Sequence, residues 1–192
     1  MTKSTLVTKP SLMAATRHPA LNDASAAEAS SDRGPIALLL MLYTLQGIPM
    51  GLGAVIPMLL VERGAGAMEQ AMFSVIGLPF AIKLLWAPLV DSIYSATFGR
   101  RKTWIVPMQA LLGLLMIVGG ARVDTFLSPA GGGPINVKAL TTLFLAFYAL
   151  AATQDIAVDG LALTVLSKAN RELGATCNAI GQTLGTCRGL YT

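Results

Sequence analysis

Three ionisable residues, Lys83, Asp155 and Asp159, lie inside long apolar stretches of the sequence. A charged side chain at the depth of a bilayer costs a few kcal/mol unless it is paired or in contact with water, so such residues are candidates for function. Asp155 and Asp159 are spaced i, i+4, which places both carboxylates on one face of a helix. Burial and mutual repulsion favour protonation of one of them, which suits a group that binds and releases a proton.

Each of these residues also has a purely structural interpretation. The long side chain of Lys83 can extend toward the membrane surface. Asp159 can lie at that surface while Asp155 pairs with Lys83, and we expect this pair to form. Gln46 is a polar residue in a charge-free stretch, where it either makes an interhelical hydrogen bond or lines a water-filled cavity.

The composition is that of a membrane protein. The 192 residues are 54% hydrophobic and only 12% charged, against about 25% charged in soluble domains, and the mean hydropathy is +0.63. The net charge is +4, but the basic residues form no stripe and no zinc-binding pattern accompanies them. We therefore expect no nucleic-acid partner.

The two cysteines, Cys177 and Cys187, are ten positions apart in a segment predicted to be helical. A helical rise of about 1.5 Å per residue separates them by about 15 Å, which is too far for a disulfide. No Cys–His cluster occurs, so we expect no metal site and no cofactor.

Hydropathy predicts an all-α membrane protein with four spans and the start of a fifth. The predicted spans are residues 35–61, 70–90, 103–121, 138–166 and 173–192. Residues 1–34 contain no apolar run and are predicted to be a disordered cytosolic tail. The glycines at positions 47, 51 and 53, and the Gly181/Gly185 pair, favour close helix packing.

The orientation follows from the basic residues between the spans. A basic loop, Gly99-Arg100-Arg101-Lys102, follows the second span, and cytosolic loops are enriched in Lys and Arg. If this loop is cytosolic, nine basic residues lie inside and three outside. The inside residues are Lys3, Lys9, Arg17, Arg33, Arg100, Arg101, Lys102, Lys168 and Arg171; the outside residues are Arg63, Arg122 and Lys138. The N-terminus is therefore predicted to be cytosolic.

Several sequence blocks resemble a known family. Leu89-Val90-Asp91 followed by Gly99–Lys102 is similar to the loop motif between the second and third helices of major facilitator superfamily transporters. More specifically, the blocks at residues 45–49, 83–91 and 152–160, with Thr176-Cys177-Asn178 and Gly181-Gln182-Thr183, resemble the acetyl-coenzyme A transporter family. Bacterial muropeptide permeases share weaker versions of them. The resemblance extends over roughly residues 35–185, with the order of the blocks preserved.

The resemblance implies a fold, a substrate and a location. It implies a partial N-terminal six-helix bundle of a major facilitator transporter. It also implies that the whole transporter carries acetyl-CoA from the cytosol into the lumen of the endoplasmic reticulum. The implied conformational latch is Asp91 with Arg100, Arg101 and Lys102. With Gln154 from the third block, the candidates for substrate binding or coupling are Gln46, Lys83, Gln154, Asp155 and Asp159.

The length of the chain bears on its partners. Superfamily transporters pair two six-helix halves around a central site, so we expect this chain to be part of a longer carrier, with acetyl-CoA and membrane lipid as further partners. The alternatives are a carrier of another solute, such as a muropeptide, and a truncated membrane partner that binds a full-length homologue. A membrane-embedded acyltransferase would need a histidine at depth, and the sole histidine, His18, lies in the tail. We therefore predict a carrier and not an enzyme.

Overall fold

The structure, a computed structural model, describes residues 32–127 and 135–191. These residues form helices joined by short turns, with no β-strand among them. The prediction of an all-α membrane protein is confirmed. Most of the predicted tail, with His18, and the Ser-Pro-Gly-rich segment 128–134 lie outside the described residues.

Seven α-helices are present in the described part of the chain. Their bounds are α1 Arg33–Glu62, α2 Ala67–Ser74, α3 Leu78–Ile82, α4 Ala87–Ser92, α5 Lys102–Leu127, α6 Val137–Val165 and α7 Leu173–Leu190. In this part of the chain, four stretches are long and apolar enough to cross a membrane. They are α1, the run Ala67–Leu85, the segment Lys102–Val123 of α5, and α6.

The second membrane-length stretch is broken into short pieces. Two 3₁₀ turns, Val75–Gly77 and Lys83–Leu85, separate α2, α3 and α4. Pro79 and Pro88 lie in the first turns of α3 and α4. Because proline has no N–H to donate to the carbonyl four residues earlier, the turn before each proline tightens to i, i+3 bonding. Lys83 therefore lies in a 3₁₀ turn and not in a regular helix.

The third helix is longer than its apolar run. The predicted third span ends at residue 121, whereas α5 continues to Leu127. Its last carbonyl groups are bonded to neighbouring elements. The Asn136 N–H donates to Phe126 O at 3.0 Å, and the Arg63 guanidinium donates to Leu127 O. Backbone satisfaction at this end allows the helix to extend past its apolar residues.

Helices α1 and α7 make the closest helix contact in the described bundle. A Cβ added at Gly47 would lie 2.5 Å from Gln182 O, and one at Gly51 would lie 2.3 Å from Thr186 O. A Cβ at Gly185 would lie only 2.1 Å from Thr44 O. These glycines allow the two backbones to come into contact. Small residues favour such close helix packing within membranes.

The buried apolar residues form two clusters at opposite ends of the bundle. One contains Leu39 of α1, Val90 of α4 and Ala162 of α6. The other contains Leu60 of α1, Phe73 of α2 and Phe144 of α6. The middle turns of α1 and α6 lie between these clusters, so any polar side chain they carry inward is far from either end of the helices.

Candidate functional site

Asp155 is the centre of a polar network at the middle of α6. Only 1% of its side chain is exposed, and it forms an ion pair with the Lys83 ammonium. Lys83 also lies 5.8 Å from the Phe80 ring centroid, within range of a cation–π contact. The structure thus brings together the two charges that the sequence analysis paired. Their functional roles stay predictions.

Three side-chain amides complete the environment of Asp155. Gln46 Nε2 donates to its Oδ1 at 2.9 Å, Gln182 Nε2 at 3.1 Å and Asn178 Nδ2 at 3.5 Å. Gln46 is fully buried, so it makes the interhelical hydrogen bond that we considered for it. Four donors from three other parts of the bundle therefore converge on one carboxylate.

Asp159 lies one turn further along α6 and has neutral partners. Tyr43 Oη donates to its Oδ1 at 2.6 Å, and Asn178 Nδ2 donates at 3.2 Å. Within the described residues no cation forms an ion pair with Asp159. The carboxylates of Asp155 and Asp159 therefore share one nearby positive charge, the Lys83 ammonium. Neutral donors stabilise a carboxylate less than an opposite charge does, and Asp159 is therefore the less neutralised of the two.

Gln154 forms a separate branch of the network. Its Nε2 donates to Gln109 Oε1 of α5 at 2.8 Å, and its own Oε1 is buried without a hydrogen-bond partner. Gln46 Oε1 is likewise unpartnered. An unpartnered buried acceptor costs about 1–3 kcal/mol. Such groups are available to a ligand that brings a donor.

The proposed latch residues lie at the end of the bundle where α4 stops and α5 starts. Arg101 forms an ion pair with Asp91, and Arg100 Nε donates to Asp91 O at 3.0 Å. Arg101 also covers the backbone of α6, since a Cβ added at Gly160 would lie 2.2 Å from its Cζ. Lys102 is exposed at the start of α5 and, among the described residues, forms no ion pair with Asp91.

A second polar contact at this end was not predicted from the sequence. Asp32 lies just before α1 and accepts hydrogen bonds from Ser167 N at 3.2 Å and Asn170 Nδ2 at 2.7 Å. Hydrogen bonds from Ser167 and Asn170 lower the pKa of the Asp32 carboxyl below its ordinary value. The α6–α7 turn is thereby tied to the start of α1.

The sequence carried only part of the signal for this network. Asn178 and Gln182 appeared only within sequence blocks that resemble the family, and neither they nor Tyr43 were assigned to the carboxylates. Gln109 was missed because one glutamine in an apolar helix has no local pattern. The described residues contain no group of His, Cys, Asp and Glu side chains arranged to hold a metal ion.

Membrane-length helices that enclose an ion pair define a multi-pass helical membrane protein with a polar site inside its bundle. The family model described as Acetyl-coenzyme A transporter 1 matches residues 35–189. The chain belongs to this family of membrane transport proteins.

Individual relatives agree with the family assignment. An uncharacterised membrane protein of Saccharomyces cerevisiae is 37% identical over 172 residues, which are 82% of this chain and 31% of the relative. An uncharacterised protein of Schizosaccharomyces pombe is 36% identical over 151 residues, 78% of this chain and 28% of the relative. The anhydromuropeptide permease of Escherichia coli is 32% identical over 151 residues, 78% of this chain and 29% of the permease. The chain spans about three tenths of the length of these relatives. No solved structure is significantly similar to it.

Proposed function

We propose that this chain forms part of a carrier that moves acetyl-CoA from the cytosol into the lumen of the endoplasmic reticulum. The family description supports the substrate, and the fold supports a transporter of the major facilitator type, in which two six-helix halves enclose a central site. The remainder of the site would come from the residues that the longer relatives possess. Counting basic residues supports a cytosolic N-terminus.

The observation that carries the proposal is the ion pair of Lys83 with the buried carboxylate of Asp155. Acetyl-CoA is polyanionic, so its passage requires cationic groups, and Lys83 is the cation that contacts the buried carboxylate of Asp155. When a phosphate competes with Asp155 for the ammonium, the carboxylate retains its three amide donors, Gln46, Gln182 and Asn178. The ion pair can therefore open without leaving Asp155 unsolvated.

The contacts of Arg101 support a coupling of this site to the loop before α5. Arg101 pairs with Asp91 and lies over Gly160, which directly follows Asp159. A displacement of α6 that moves the carboxylates also moves the surface on which Arg101 rests. Asp91 and Arg101, with Arg100 on the Asp91 carbonyl, would thus hold one conformation of the carrier as a latch at its cytosolic face.

The test measures uptake of labelled acetyl-CoA by the natural gene product reconstituted in liposomes. Lys83→Ala and Asp155→Ala should each abolish most uptake, because each leaves the other charge of the pair without its partner inside the bundle. The exchanged double variant, Lys83→Asp with Asp155→Lys, should recover part of it. If the unmodified carrier takes up no acetyl-CoA, the substrate is wrong; if the exchange recovers nothing, the pair has a different role.

The similarity to the anhydromuropeptide permease supports a second candidate, a carrier of peptidoglycan fragments. Competition separates the two. An excess of unlabelled anhydromuropeptide should leave acetyl-CoA uptake unchanged under our proposal, whereas unlabelled CoA should reduce it. The opposite pattern would assign the chain to the second function.

A further inference from the structure

A cavity of about 430 Å³ opens between α6 and α7, and Tyr43 of α1 also lines it. Its polar lining consists of Tyr43, Asp159, Asn178 and Arg171. The apolar lining comes mainly from Ala162, Leu163, Ala175 and Ala179. Its volume lies within the usual range for small-molecule sites, about 300–1,000 Å³.

Two unpaired charges of opposite sign line this cavity. Asp159 accepts hydrogen bonds only from the neutral groups of Tyr43 and Asn178. Arg171 is exposed, and it forms no ion pair within residues 32–127 and 135–191. A ligand that satisfies both must present an anionic group to the guanidinium and an N–H donor to the carboxylate.

The position of Arg171 is fixed by contacts on either side of it. Asp32 holds the preceding turn through Ser167 N and Asn170 Nδ2. After it, α7 approaches α6 closely at Gly174, where an added Cβ would lie 3.2 Å from Ala162 Cβ. The backbone of Arg171 is therefore held at the edge of the cavity, so a ligand need not order this turn in order to reach the guanidinium.

We infer that this cavity binds a phosphorylated purine nucleotide group, with a phosphate at Arg171 and the exocyclic amine of the base at Asp159. A planar guanidinium is well suited to phosphate, a carboxylate accepts from an amino group, and the small apolar side chains fit the faces of a flat base. The inference rests on the proposed function, because in acetyl-CoA this group is the 3′-phosphoadenosine diphosphate end.

The phosphate half is tested with Arg171→Gln in the natural gene product in liposomes. Lys168→Gln is the matched control, since Lys168 is exposed in the same turn and does not line the cavity. Inhibition of labelled acetyl-CoA uptake by CoA should weaken about tenfold in Arg171→Gln, the effect of losing one charge-assisted hydrogen bond. Inhibition by acetylpantetheine, which has no nucleotide, should be unchanged, and the control should match the parent.

The base half is tested with an analogue of CoA in which hypoxanthine replaces adenine, so that a carbonyl replaces the exocyclic amine. The parent carrier should prefer CoA to this analogue. Asp159→Asn should reverse the preference, because the amide of asparagine can donate to the carbonyl. The ratio of the two inhibition constants is informative even if the variant carrier is less abundant.

The outcomes separate this assignment from the proposed function. If acetyl-CoA is taken up but Arg171→Gln behaves as Lys168→Gln, or the base preference does not change in Asp159→Asn, the cavity assignment is wrong and the proposed function stands. If the unmodified carrier neither takes up acetyl-CoA nor responds to CoA, both are wrong.

Discussion

From the contact between α1 and α7 we predict that two Gly→Ala substitutions, at Gly185 and Gly113, have opposite effects on stability. An alanine Cβ at Gly185 would lie 2.1 Å from Thr44 O and 2.7 Å from Gly47 Cα. Both of these are backbone atoms, so no side chain can rotate away to make room. At Gly113 of α5, an added Cβ would have no atom within 4 Å.

The expected magnitudes follow from these two environments. Replacing glycine by alanine inside a helix stabilises by about 0.5–1 kcal/mol when the space is open. Overpacking a close contact costs about 1–3 kcal/mol, and a backbone-to-backbone contact lies toward the upper end. We therefore expect Gly113→Ala to stabilise slightly and Gly185→Ala to destabilise by about 2 kcal/mol net.

The measurement is reversible unfolding of the purified protein in mild detergent, by titration with SDS and detection of helical circular dichroism. The unfolding midpoint should move to lower SDS for Gly185→Ala and slightly to higher SDS for Gly113→Ala. The reasoning fails if both variants move in the same direction, or if Gly185→Ala is as stable as the parent. A Gly185→Ala variant that is as stable as the parent, or more stable, would mean that α1 and α7 are not in backbone contact.

Three further predictions concern the charged groups. In Gly160→Ala the added Cβ meets the mobile end of Arg101, so uptake should fall with little change in the unfolding midpoint, and no further fall should occur when Arg101 is already alanine. Asp155→Ala should lower the thermal midpoint more than Lys83→Ala, because it leaves three amide donors and an ammonium without their acceptor. Each buried donor left without a partner costs about 1–3 kcal/mol. Equal effects of the two substitutions would contradict the network. Because the folded pKa of Asp32 is lowered from 3.8, its stabilising contribution is complete above that pH and is lost as the pH falls through the lower folded value. Asp32→Asn should therefore be less stable than the parent at pH 7, and the difference should shrink below pH 3.8; a constant difference would exclude this linkage.

Hydropathy was sufficient for the class of fold, because a helix must satisfy its own backbone in lipid and long apolar runs have no alternative structure. It did not show how the second span is divided. Pro79 and Pro88 were visible in the sequence, but a proline can kink, open or end a helix. The choice depended on packing against α6, which no local pattern records.

The candidate site was predictable where charge made burial costly. Lys83 and Asp155 each required a partner, and few charges were available at that depth, so their pairing could be expected. The neutral contacts carried no comparable signal. Gln109 with Gln154, and Asp32 with Asn170, are 45 and 138 residues apart in sequence, and their meeting depends on helix rotations that sequence periodicity leaves open.

The backbone contact between α1 and α7 has a consequence for how the protein moves. Helices in contact along several glycines have no side-chain layer between them that could shear, so we expect α1 and α7 to move as one rigid body. Gln46 of α1 and Gln182 of α7 donate hydrogen bonds to the same carboxylate oxygen, Oδ1 of Asp155. We therefore expect a rotation of α6 to break or restore both amide hydrogen bonds together.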